Sequence, residues 1–148
     1  MENLKSFLII GYGNTLRGDD GIGQEVAERV ERWEKPNLRS RPVHQLTPEL
    51  AEELTHADSV IFVDACLEGE TVEVSAIEPD ESETAVNLGH AINPRSLLSL
   101  AKRLYGTVPP AWLVAVPGEN FEMCDRLSPT GEKGVEDALK QIERLIED

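Results

Sequence analysis

The sequence has no apolar stretch long enough to cross a membrane. Its N-terminal run, Phe7–Ile10, is closed by Gly11, too short for a signal h-region or a spanning helix. The expectation is a cytoplasmic protein without a membrane partner. Cysteine is scarce: Cys66 and Cys124 lie far apart without a CxxC spacing, and a reducing compartment keeps both as thiols. Basic residues are few, 14 against 28 acidic ones, for a formal net charge of -14. That field repels phosphate backbones, so nucleic acid is excluded as a partner. Aromatic residues make up only 5% of the chain, so a core must rest on Leu, Ile and Val. No internal repeat, low-complexity segment or dividing linker interrupts the chain, and residues 1–148 read as one domain.

What is present is a regular alternation of strand and helix patterns. Ser6–Ile10 reads as a buried strand. From Gly21 to about Trp33, Ile22, Val26, Val30 and Trp33 recur at helical spacing. A second strand spans roughly Ser40–Gln45, and Thr47 with Pro48 predicts the start of a helix over Glu49–His56. SVIFVDA is the clearest strand, a continuous apolar run suited to a sheet covered on both faces, with Asp64 at its end.

Thr71–Ile77 alternates and follows after only a few residues. A parallel crossover needs about a dozen residues, so this strand is expected to run antiparallel to its predecessor. Asn93 and Pro94 open a further helix that Gly106 stops. AWLVAV forms a fifth strand, and Ser128 with Pro129 opens the last helix. The predicted fold is an α/β three-layer sandwich: a mainly parallel five-stranded sheet with one antiparallel strand and helices on both faces.

Sites in such sheets form beyond the carboxyl ends of the strands. Asp20, in GYGNTLRGDDGIG, Asp64 and His90 all fall on that edge. The glycine-rich turn does not suit a dinucleotide: Leu16 stands where the spacing from Gly13 requires glycine, two aspartates would repel pyrophosphate, and no phosphate-loop lysine follows. Asp19 reads as a helix-capping residue. A helix needs one cap, which leaves Asp20 to be explained, and an unpaired Asp64 at the end of an apolar strand is costly unless it meets a cleft or a partner. Two carboxylates and one imidazole suit nickel, zinc or manganese with positions left open. A structural zinc normally takes four ligands, so a catalytic or borrowed metal fits better. No GxSxG elbow marks a serine nucleophile, and Cys66 reads as a small packed thiol.

The segments GYGNTLRGDDGIG, FVDA, the loop histidine His90 and LSPTGEKGVEDAL together resemble the hydrogenase maturation endopeptidases over nearly the whole chain. HQLTPEL and NPRSLLSLAKRLYG look most like members serving bidirectional, NAD(P)-linked hydrogenases. The resemblance implies a monomeric, cytoplasmic protease that removes a C-terminal extension from the large-subunit precursor of a nickel-iron hydrogenase. It would recognise nickel already inserted in that substrate and keep no tightly bound cofactor. It carries the nickel-contacting, catalytic roles onto Asp20, Asp64 and His90. Several relatives have an acidic residue where this chain has His44, which is left outside the ligand set. Two alternatives stay open: a metallohydrolase with its own zinc or manganese, and a nickel-sensing assembly module that does not cut.

Overall fold

A computed structural model describes residues 4–81 and 92–147. Five strands, β1 (Phe7–Tyr12), β2 (Leu38–Val43), β3 (Ser59–Cys66), β4 (Glu73–Ile77) and β5 (Ala111–Pro117), form one sheet in the order β2-β1-β3-β5-β4. β1 runs parallel to β2 and β3, β3 runs parallel to β5, and β4 closes the edge antiparallel to β5. The direction expected for β4 therefore holds, but β5 lies between it and β3. The short β3–β4 connection steps over a place in the sheet that a later strand fills.

Among the described residues, four helices cover the sheet: α1 (Ile22–Glu31), α2 (Leu50–Leu54), α3 (Pro94–Tyr105) and α4 (Pro129–Glu147). The alternation of side chains along each strand divides the core in two. Phe7, Ile9, Ile61, Val63, Val114 and Val116 face α1 and α4, whereas Leu8, Ile10, Val60, Phe62 and Ala111 face α2 and α3. This is the expected three-layer arrangement, and the central strands read as apolar runs because both of their faces are buried.

Local signals fix the helix ends unevenly. At α3, Asn93 Oδ1 accepts the Ser96 N–H at 2.9 Å while Ser96 Oγ accepts the Asn93 N–H at 2.8 Å, Pro94 fills the first turn, and Gly106 ends the helix at φ 82°. α2 is shorter than predicted. Thr47 and Pro48 form tight turns, their carbonyls accepting from Leu50 and Ala51, before the five residues of helix begin.

One close approach sets the geometry of the site. A Cβ on Gly11 would overlap the Gly23 carbonyl, and one on Gly23 would come within 2.6 Å of the Val63 carbonyl oxygen. Two residues without side chains let the start of α1 lie directly on the ends of β1 and β3. The short 3-10 turn before it, Gly18–Gly21, which carries Asp19 and Asp20, is thereby drawn to the carboxyl edge of the sheet.

Candidate active site

β1 runs two residues past its predicted end and β3 continues through Ala65 and Cys66, so Asp64 sits inside the strand rather than terminating it. The register pairs Gly11 with Val63 and Asp64 with Ala115, which puts Tyr12 on one side of Asp64 and an alanine methyl on the other. Parallel in-register neighbours project to the same face. The Tyr12 hydroxyl donates to Asp64 Oδ2 at 3.0 Å.

Burial pushes the Asp64 pKa above the usual carboxylate range. The Tyr12 hydrogen bond opposes that rise, and the charge of Asp20 adds to it. Burial also raises the Tyr12 phenol, followed by the charges of Asp64 and Asp20, so Tyr12 stays a neutral donor. Asp20 is thus an electrostatic neighbour of both. Its own Oδ2 accepts the Asn14 N–H at 2.8 Å, which anchors the loop leaving β1. Among the described residues, neither Asp20 nor Asp64 forms an ion pair.

Asp19 is arranged differently. Fully buried, it accepts at Oδ2 from the N–H groups of Glu119 and Asn120, at 2.7 and 3.1 Å, and from the Ser128 hydroxyl at 2.6 Å. Its Oδ1 accepts the Ser128 N–H at 2.8 Å. Burial works to raise its pKa, but the Ser128 hydroxyl and the three backbone donors outweigh burial and hold it below the usual range. The expected cap on its own helix is not what it makes, since neither the 3-10 turn nor α1 has a side-chain N-cap bond. Its bonds instead tie the segment after β5 to the start of α4.

His44 lies exposed one residue beyond β2. His90 lies outside the described residues, and no group of three or more metal-ligating side chains occurs among the described ones. Burial raises the Cys66 thiol, which donates to the Glu68 carbonyl at 3.1 Å; this fits a packed thiol rather than an activated one. A cleft of about 280 Å³ lined by Thr15, Gln24, Glu28, Asp125 and Leu127 includes neither Asp20 nor Asp64.

No protein-family model matches the sequence, and no curated protein does. Solved structures do match. The hydrogenase maturating endopeptidase HybD from E. coli superposes with a TM-score of 0.74 at 26% identity, over 96% of this chain and 92% of that one. A hydrogenase 2 maturation peptidase from a Thaumarchaeota archaeon gives a TM-score of 0.72 at 27% identity, over 96% of this chain and 98% of that one. Over nearly its whole length the chain is similar in fold to hydrogenase maturation endopeptidases. A [NiFe] hydrogenase maturation protease, HycI from Thermococcus kodakarensis, shares the fold at a TM-score of 0.72 and 23% identity, over 97% of this chain and 94% of that one.

In this chain the two sequence-expected carboxylates, Asp20 and Asp64, share one edge of the sheet. Two further residues matter there that sequence reasoning did not single out in these roles. Tyr12 became relevant only once β1 was seen to continue past Gly11, and Asp19 only once the segment after β5 was seen to close over it. The repeated aspartate in GDDG was the available signal for Asp19: its two members point to different partners.

Proposed function

We propose that this protein is a maturation endopeptidase that removes the C-terminal extension of a nickel-iron hydrogenase large-subunit precursor, recognising nickel already inserted in that substrate. Asp20, Asp64 and His90 contact the nickel and carry the catalytic work, with the part of His90 resting on the family resemblance. The observation that carries this reading is the placement of Asp20 and Asp64 at one edge of the sheet, where the charge of Asp20 acts on Asp64 and neither has an ion-pair partner among the described residues. Like charges so placed are relieved by a shared cation. Two carboxylates and an imidazole suit nickel and leave positions for the substrate's own ligands.

Nickel delivered by the substrate supplies polarisation of the scissile carbonyl and acidification of water. The protein's own groups do the rest. A carboxylate accepts the proton of the attacking water and returns a proton to the departing amine, so that the peptide bond ends as a carboxylic acid and an amine. Burial strengthens Asp64 as a base relative to an exposed aspartate. Leu16, Leu67 and Met123 stand exposed on the segments leaving β1, β3 and β5, where an apolar stretch of a protein substrate would find contacts.

The protein acts in the cytoplasm as a monomer and retains no metal of its own. HQLTPEL and NPRSLLSLAKRLYG favour a bidirectional, NAD(P)-linked hydrogenase as the one served. Incubating the protein with nickel-loaded and nickel-free precursor, and following the mass of each, tests the reading. Loss of the extension from the loaded form alone is expected. Equal cleavage of both forms, stoichiometric zinc or manganese surviving dialysis, or a stable complex with no product would each contradict it.

A further inference from the structure

The row of side chains that ends the sheet on the α2 and α3 face contains Tyr12, Asp64 and Ala115. In that row the donor to the Asp64 carboxylate is the Tyr12 phenol, at 3.0 Å from Oδ2, while Ala115 offers only a methyl. The Tyr12 ring packs against the core formed by Leu8, Ile10 and Phe62. Its hydroxyl is therefore located by a strand and a packed interior rather than by a loop.

We infer that Tyr12 is a positioning residue for the reaction: its phenol sets the plane of the Asp64 carboxylate, and so the direction in which the remaining lone pairs meet the nickel of the substrate. The inference rests on the nickel-recognising reading above. The final torsion of an aspartate is broad when nothing restrains it. A hydrogen bond from a rigid neighbour narrows it, and the partners that orient a metal-binding side chain typically control affinity and activity by 10–100-fold. The Ala65 N–H also donates to the Asp64 carboxylate, but from the neighbouring strands Tyr12 supplies the side-chain donor, since Ala115 on β5 offers only a methyl. A neutral phenol also orients the carboxylate without cancelling its charge, as a lysine or arginine would, and the negative charge stays available to a cation.

Tyr12→Phe keeps the ring and its packing and removes only the donor. Three measurements on the full chain separate the possibilities: Ni2+ titration followed by paramagnetic broadening of the amide signals around Asp64, kcat and KM on nickel-loaded precursor, and the thermal midpoint. The expected result is a midpoint close to that of the parent protein, a Ni2+ dissociation constant raised about 10-fold, and a comparable loss in kcat with a smaller change in KM. Parent-like Ni2+ affinity and kcat overturn the inference, and so does a lowered midpoint with Ni2+ affinity unchanged. If the parent protein shows no broadening near Asp64, and Asp64→Ala cleaves normally, the nickel reading itself has failed, and the role of Tyr12 fails with it.

Discussion

Two carboxylates of this fold, Asp19 in the turn before α1, bonded to the β5–α4 segment, and Asp64 at the end of the central strand, meet burial in opposite ways. Asp19 is fully buried and surrounded by four donors, so its charge is satisfied within the protein and its pKa falls. Asp64 is half-buried, receives a phenol, and feels Asp20, so its pKa rises. The first charge is used to build the molecule. The second is held at a cost in stability, the balance expected of a group kept for an outside partner under the reading proposed above.

The largest effect expected from breaking this contrast is on catalysis. Asp64→Ala should lower cleavage of nickel-loaded precursor by at least 10²-fold, the lower end of what one general acid–base group contributes, while leaving the circular dichroism spectrum unchanged. Single-turnover assays by mass spectrometry check it.

Asp19→Ala should do the reverse. It leaves three backbone N–H groups and the Ser128 hydroxyl without their acceptor, and stability should fall by about 3 kcal/mol or more. Urea unfolding at pH 7 measures the loss, and a change below about 0.5 kcal/mol would remove Asp19 from its structural role.

Acid titration sharpens the comparison. The lowered pKa of Asp19 means that its contribution is present above the unfolded value of about 3.9 and is lost as pH falls through the lower folded value. Asp64 has the opposite sign: its folded pKa lies above the unfolded value, so the folded state is penalised at neutral pH and the penalty fades as pH falls through the folded pKa. Asp19→Asn should therefore flatten the acid limb below about pH 4. Any advantage of Asp64→Asn over the parent should shrink on going from pH 7 toward pH 4.

The smallest effect belongs to a region remote from both aspartates. Asn93→Ala removes the acceptor of the Ser96 N–H at the start of α3 and should cost about 1 kcal/mol. A much larger loss would mean that this cap also supports the site.

The comparison also explains what was legible in the sequence. Elements whose cause is local were readable. The apolar run of β3, the Asn93–Pro94 start and Gly106 stop of α3, and the Ser128–Pro129 start of α4 each carry their own reason within a few residues. The direction of β4 followed from the length of one connection. Its neighbour did not, because the insertion of β5 between β3 and β4 depends on a strand more than thirty positions later. α2 came out short because Thr47 and Pro48 close tight turns ahead of the helix.

The candidate site divides in the same way. Asp64 was conspicuous because a charge interrupts an apolar strand, and Asp20 because one helix start does not need two aspartates. The work of Asp19 was hidden, since its partners Glu119, Asn120 and Ser128 lie about a hundred positions away. Tyr12 was hidden because its role depends on the pairing register of β1 with β3.

The claim that Asp64 is held for an outside partner is tested most directly by urea unfolding of Asp64→Asn against the parent protein at pH 7. The account predicts a variant at least as stable as the parent, because the substitution removes a penalised charge and keeps a group able to accept from Tyr12. A loss as large as that of Asp19→Ala would show that the carboxylate belongs to the folding of the protein, and would contradict the account.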